Sequence, residues 1–279
     1  MPTIRELLSR GQSEIRFSDT ARLDAELLLC SVMNTERASI YSRPELEIPC
    51  QEVDAYHSLV TKRAKGWPIA YLTGHKEFWS LDLQVNEDTL IPRPETECLV
   101  ACALEKIPAG EAVRIIDPGT GTGAIAIAIA RERPQCRMVA TDISDGALAI
   151  AASNAKRHGL ENICFIRSDW FSAIDYQDFD FIVCNPPYIR CNDKHLQQGD
   201  VRFEPVHALS AGDDGLHHIR QIIAQAPDYL TDNGWLLLEH GYDQGQDVRN
   251  LLACSGYSDT STCRDFAGNE RVTSAQYHA

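Results

Sequence analysis

Asn185-Pro186-Pro187-Tyr188 is the stretch whose residue types suggest chemistry most directly. It follows a short apolar run, Phe179 to Cys184, that reads as a buried strand. Proline lacks the N–H that a central ladder needs, so the chain must leave the sheet here, at a strand's carboxyl end. In open α/β sheets that edge is where ligands bind. The stretch offers a side-chain amide, proline-flanked carbonyls and an aromatic face, a set suited to a planar amide or amino group. An amide nitrogen is a poor nucleophile because its lone pair is delocalised. Two acceptors, the Asn185 side-chain oxygen and the Pro186 carbonyl, would hold both of its N–H bonds and favour charge building on nitrogen. Tyr188 is suited to packing on the planar group. Attack on an electrophilic methyl then needs mainly position and desolvation. The scheme requires no general base, and none is evident. The bland alternative is a rigid strand-to-loop exit.

A second set lies upstream. Asp117-Pro118-Gly119-Thr120-Gly121-Thr122-Gly123 is a glycine turn between an expected strand and an expected helix. Glycines let backbone approach a ligand closely, and the following helix N-terminus favours polar groups. The spacing is G-x-G-x-G, not the G-x-G-x-x-G of dinucleotide enzymes. Asp142 ends the next strand. An acid there accepts both hydroxyls of a ribose, in NAD and in S-adenosylmethionine alike; its bland reading is a helix cap. Ser168-Asp169-Trp170 follows the third strand. Asp169 is placed for an adenine amino group and Trp170 for packing, against a purely structural tryptophan.

These residues need a sheet to gather them. Strands are expected at 113–117, 137–141, 163–166, 179–184, 235–239, 257–266 and 270–277. Helices are expected at 95–106, 124–131, 145–158, 215–230 and 244–254, with a long polar loop at 189–212. Strands alternating with helices imply a mostly parallel sheet with right-handed crossovers, closed by an antiparallel hairpin at its edge. Residues 1–73 carry helical stripes instead. Ile4, Leu7 and Leu8 form one, broken before Ile15 by Gly11. Ala21 to Val32 form another, capped by Ser18 or Asp19, and Val53 to Ala64 a third. Residues 74–92, with Asn86-Glu87-Asp88 as punctuation, read as a β-hairpin joining a helical domain (1–73) to the catalytic domain (93–279). Pro92-Arg93-Pro94-Glu95-Thr96-Glu97 reads as helix initiation, with Pro94 at the start and acids in the first turn; the functional alternative is a proline-stiffened segment that lines the cofactor site.

Composition narrows the classes. The 279 residues are 44% hydrophobic, ample for one large and one small domain, and carry a net charge of −14. That acidity disfavours a broad grip on phosphate backbones. Ten cysteines show no C-x-x-C spacing, so no zinc or redox site is expected, and Cys30, Cys164 and Cys184 read as buried small hydrophobes. The first residues lack a signal-peptide layout, and no apolar run approaches the ~20 residues of a membrane span. The expected compartment is a reducing cytoplasm, with no membrane partner.

The strand, the G-x-G-x-G turn, Asp142 and Asn185 to Tyr188 together resemble an S-adenosylmethionine-dependent methyltransferase of the amino-group class. More narrowly, the chain resembles the bacterial protein-(glutamine-N5) methyltransferases of peptide chain release factors. The distinctive stretches are Pro68 to Gly74, Ile91 to Glu97, Asn185 to Ile189 and Val201 to Pro205. The resemblance implies a Rossmann-like seven-stranded methyltransferase sheet with a small N-terminal helical domain. It implies S-adenosylmethionine as cofactor and the glutamine of the Gly-Gly-Gln motif of class I release factors as acceptor. Gly119, Thr120, Gly121, Thr122 and Gly123 would hold the methionine part, Asp142 the ribose, and Asp169, Trp170 and Asn185 would lie at the cofactor. Asn185, Pro186, Pro187 and Tyr188 would bind the glutamine, and residues 1–73 would help recognise its protein. Pro118 departs from the small aliphatic residue usual there and removes one N–H, but the flanking glycines are intact.

Three other readings compete. An Asn-Pro-Pro-Tyr pocket also suits an exocyclic amino group of a flipped nucleic-acid base, which the charge and the lack of a basic cluster disfavour. A nicotinamide-dependent oxidoreductase conflicts with the glycine spacing. A non-catalytic partner-binding protein would not need the intact turn, Asp142 and Asn185.

Overall fold

The computed structural model describes residues 1–278. The chain divides into two compact units, one of Met1–His75 with Gln198–Phe203, the other of Lys76–Gln197 with the residues from Glu204 onward.

The first unit is helical: α1 (Ile4–Glu14), α2 (Ala21–Met33), α3 (Arg37–Ser42), α4 (Cys50–Ala64) and α5 (Ile69–Thr73). Thr3 and Glu6 form a reciprocal capping box that starts α1. The helical stripes meet in one core of Ile4, Leu7, Ile15, Leu28, Leu29, Ile40, Tyr56 and Val60. Gly11 does not break α1, which runs through it. A Cβ there would strike the Tyr56 hydroxyl, so glycine allows α1 and α4 to approach. The expected cap of α2 also differs. Thr20 stands at the cap without accepting from the helix's backbone N–H groups, and the hydroxyls of Ser18 and Thr20 donate instead to the Asp24 side chain at 2.7 and 2.9 Å. The buried Asp24 also receives the Arg63 guanidinium at 2.7 Å.

β1 (His75–Phe78) and β2 (Leu81–Gln84) form a two-stranded sheet. Its turn is Trp79-Ser80, not the expected Asn86-Glu87-Asp88. Both turn residues have positive φ, 52° and 57°, the pattern of a tight hairpin turn. Side-chain acceptors hold it: Glu97 takes the Trp79 N–H at 2.9 Å and Glu77 the Ser80 N–H at 2.6 Å. No Gly or Asn marks the turn, because tertiary partners supply what local propensity does not.

The main sheet has seven strands in the order β5-β4-β3-β6-β7-β9-β8. They are β3 (Arg114–Pro118), β4 (Arg137–Asp142), β5 (Ile163–Arg167), β6 (Phe179–Cys184), β7 (Leu230–Glu239), β8 (Ser258–Arg264) and β9 (Glu270–Gln276). The first five run parallel, and β9 pairs antiparallel with β7 and β8. Helices α6 (Glu97–Lys106), α7 (Ala124–Glu132), α8 (Asp145–Arg157), α9 (His217–Gln225) and α10 (Gly245–Cys254) complete the unit. Alternate strand residues feed two cores. Ile115, Phe181, Val183 and Leu237 join one with α6 and α7, while Ile116, Ile182, Leu236 and Leu238 join the other with α9 and α10. Every residue of α7 from Ala124 to Ala130 is buried, as an all-apolar helix requires.

Cys30 and Cys184 are buried, but Cys164 is exposed, because β5 is an edge strand with partly open faces. Pro118 ends a central strand without disrupting it. The Gly119 N–H reaches Thr141 on β4, so by alternation the Pro118 nitrogen faces β6. There the recorded pairing already stops at Ile116 with Ile182, and the Pro118 carbonyl accepts the Cys184 thiol at 2.9 Å.

Candidate active site

β3 and β6 are neighbours, and their onward connections run to opposite sides of the sheet, to β4 and to β7. The carboxyl ends at such a reversal leave a crevice. A cavity of about 380 Å³ occupies it, lined by Gly119 and Gly121 after β3, Asp142 and Ile143 after β4, Ser168, Asp169 and Trp170 after β5, and Asn185 and Pro187 after β6. That volume lies in the range of small-molecule sites, roughly 300–1,000 Å³. Asp88, Thr89, Leu90, Ala147, His207, Ala208, Ser210 and His218 complete the wall.

The glycine turn wraps the end of β4. The N–H groups of Gly119 and Thr120 both donate to the Thr141 carbonyl at 2.8 Å. Gly121 has φ 56°, and nothing lies within 4 Å of where its Cβ would be; that space is cavity. Its N–H donates to Asp142 Oδ2 at 2.9 Å, and the Ser144 N–H donates to Oδ1, also at 2.9 Å. Asp142 is therefore held rigidly at the cavity wall. It does not cap α8; Ser144 does, accepting from Ala147 N–H. Thr120, Thr122 and Gly123 do not line the cavity. Thr120 donates to Asp117 at 2.7 Å, the Thr122 carbonyl accepts from Asn154 at 3.0 Å, and Gly123 begins α7. These residues support the turn from behind.

Asp117 is fully buried, and its Oδ1 has no hydrogen-bond partner. Burial pushes its carboxyl up to about 7, opposed by the Thr120 hydrogen bond. Trp170 has φ 51°, and its carbonyl accepts from the Thr141 hydroxyl at 3.1 Å. Its ring lies 5.4 Å from that of His218. His218 Nδ1 is buried without a partner, and burial, with His217 beside it, holds the imidazole below its usual pKa.

Asn185 turns its Nδ2 to the Thr96 hydroxyl oxygen at 3.1 Å, leaving Oδ1 as the acceptor end of the group. Pro186 is buried behind the wall and Pro187 is part of it. Tyr188 departs from the expected arrangement. Its ring packs on the α9–α10 core, not on the cavity, and its hydroxyl donates to Glu239 Oε1 at 3.2 Å. Glu239, at the end of β7, is fully buried and pushed up to about 7 by desolvation. Burial and the Glu239 charge raise the Tyr188 phenol, which stays protonated.

Two of the stretches singled out above meet here. The buried Glu204 accepts the Ile91 N–H at 3.1 Å and pairs with the Arg93 guanidinium. Pro94–Thr96 do open a helix, by a 3₁₀ turn into α6, but Thr96 also holds Asn185. Sequence reasoning missed Thr96, Glu239, His218 and the 88–90 wall. Glu239 did leave a signal, an acid closing the apolar run Leu236 to Leu238. The length of the 189–212 loop hinted at function, and His207, Ala208 and Ser210 come from it. Thr96 lies inside the distinctive stretch Ile91 to Glu97, though nothing there names its partner, and no pattern marks His218.

Residues 96–200 match the model of the methyltransferase small domain, and residues 6–74 that of the PrmC N-terminal domain. A release factor glutamine methyltransferase of Pseudomonas aeruginosa is 50% identical over 277 residues, 99% of each chain. The protein of the same name from Escherichia coli is 49% identical over 97% of this chain and 98% of its own. A methyltransferase structure from Pyrococcus furiosus superposes with a TM-score of 0.55 over 80% of this chain and 98% of its own, at 18% identity; that likeness shows the fold. Half-identity along nearly the whole length leaves one assignment: the chain belongs to the release factor glutamine methyltransferase family.

Proposed function

We propose that this chain transfers a methyl group from S-adenosylmethionine to the side-chain amide nitrogen of the glutamine in the Gly-Gly-Gln motif of class I peptide chain release factors. The observation that carries the reading is the meeting of Asn185 and Pro187 with Gly121 and Asp142 around one cavity. The cavity's chemistry fits the cofactor. It offers open space at Gly121, a fixed carboxylate at Asp142, an indole at Trp170 and an unpartnered imidazole nitrogen at His218.

When bound, S-adenosylmethionine supplies an electrophilic sulfonium methyl. The turn at Gly119 to Gly123 holds the methionine part, with Thr120, Thr122 and Gly123 acting through the turn's shape. Asp142 takes the ribose hydroxyls, Asp169 the adenine amino group, and Trp170 packs beside it. Asn185 Oδ1 and the Pro186 carbonyl accept the two N–H bonds of the glutamine amide and aim its lone pair at the methyl. Transfer would break the sulfonium's methyl carbon–sulfur bond, leaving a neutral thioether, as the nitrogen–carbon bond forms, and the proton displaced from nitrogen would leave to solvent. Pro187 closes the wall, and Tyr188 anchors the exit of the stretch. Residues 1–73 recognise the release factor, 74–92 link, and 93–279 catalyse. The PrmC N-terminal match at 6–74 supports the first of these roles. Among the described residues no helix is long and apolar enough to cross a membrane, and the net charge of −14 favours a protein acceptor over nucleic acid.

The test supplies labelled methyl donor with an unmethylated release factor or, separately, bulk nucleic acid. Label on the Gly-Gly-Gln peptide is the expected result. Label on nucleic acid alone overturns the reading.

A further inference from the structure

Glu239 gathers both ends of Asn185 to Tyr188, yet it does not line the cavity. At one end the Tyr188 hydroxyl donates to its Oε1 at 3.2 Å. At the other, Asn185 Nδ2 donates to Thr96 Oγ1 at 3.1 Å. An amide NH₂ has only protons to offer, so the Thr96 oxygen accepts there and its own proton must go elsewhere. The Thr96 hydroxyl lies beside the Glu239 carboxyl group, whose Oε2 is buried and has no hydrogen-bond partner. When ionised, that carboxyl group only accepts, and its vacant Oε2 is the acceptor to which the Thr96 proton turns, so donation then runs from Asn185 to Thr96 to Glu239.

We infer that Glu239 and Thr96 are positioning residues that set the polarity of Asn185, presenting its Oδ1 and not its NH₂ to the substrate amide. The inference rests on the function proposed above, in which Oδ1 must accept an N–H from the glutamine. Were the Thr96 proton free to point at Asn185, the side-chain amide would turn over and oppose one NH₂ with another. Two donors facing each other repel and leave both unpaired. The remaining titratable groups near Glu239 are Arg271 on β9, Glu95 before α6, Cys98 on α6 and Cys184 on β6. None of them replaces the Thr96 link to Asn185.

Glu239→Gln keeps the shape but offers an NH₂ to Thr96, which reverses the chain. Thr96→Val removes the link while leaving the Glu239 carboxylate in place, and Thr96→Ser restores it. The expected result, measured on the full chain with an unmethylated release factor, is a kcat lower on the order of 100-fold in Glu239→Gln and Thr96→Val. KM for the release factor and Kd for S-adenosylmethionine should change by less than about 3-fold. Thr96→Ser should retain most turnover. Wild-type kcat in both Glu239→Gln and Thr96→Val overturns the inference. So does a loss in Thr96→Ser as large as in Thr96→Val. If the wild-type chain leaves the release factor unlabelled in the same assay, the proposed function fails instead, so the two failures are distinguishable.

Discussion

Asp117 makes the folded protein's stability depend on pH in a way that one substitution isolates. Its carboxyl is fully buried, one oxygen has no partner, and its pKa is pushed up to about 7 from an ordinary 3.8. Unfolded, it loses its proton near the ordinary value. Between the two values the folded state binds more protons than the unfolded one, so stability falls as pH rises. The favourable contribution is whole below about pH 4 and is lost as pH climbs to about 7. From pH 5 to pH 7 each unit costs about 1.36 kcal/mol, and beyond that the curve levels, giving about 2–3 kcal/mol between pH 5 and pH 8. Asp117→Asn removes the titration. Its side-chain oxygen still accepts from Thr120, and its NH₂ replaces the unpartnered oxygen, a cost that does not vary with pH. The stability of the variant relative to wild type should therefore rise by about 2–3 kcal/mol from pH 5 to pH 8. Urea unfolding read by tryptophan emission measures this, because Trp79, Trp170 and Trp235 all lie in the second unit. A relative stability constant to within about 0.5 kcal/mol across that range would refute the argument, because Asp117 would then titrate as an ordinary acid.

Asn185→Ala removes an acceptor that the proposed mechanism needs but keeps Gly119, Gly121, Asp142 and Trp170 at the cavity. Equilibrium binding of S-adenosylmethionine should stay within a few-fold, while single-turnover methylation falls roughly 10²–10³-fold, the scale of one lost transition-state hydrogen bond. Normal turnover would exclude the mechanism. Gly123→Ala should destabilise by about 1–3 kcal/mol in the same urea experiment. Its φ is 80°, and a Cβ would lie 2.9 Å from Ile127 Cδ1 and 3.1 Å from Ala151 Cβ. Unchanged stability would mean that the turn relaxes freely.

Much of this was legible in the sequence because it is written in local patterns. Largely apolar runs of five or six residues set the parallel strands β3 to β6. Alternation of strand with helix set the parallel order, and the glycine turn and Asn185 to Tyr188 stand at strand ends where any such sheet places its ligand. What only tertiary structure decided depends on residues distant in sequence. Trp79-Ser80 turns a hairpin because Glu97 and Glu77 take its N–H groups, so no turn signature was needed or present. Gly11 looked like a break and is a contact, because its meaning lies in Tyr56 on another helix. Cys164 looked buried and is exposed, because strand composition does not tell an edge from a centre. Tyr188 offered an aromatic face, and packing turned it to Glu239. His218 carries no sequence signal, and Thr96, though inside the distinctive stretch Ile91 to Glu97, carries none that names its partner. A hydroxyl's partner and an imidazole's solvation are fixed by what the fold brings within about 3 Å, and one chain's sequence does not record that distance.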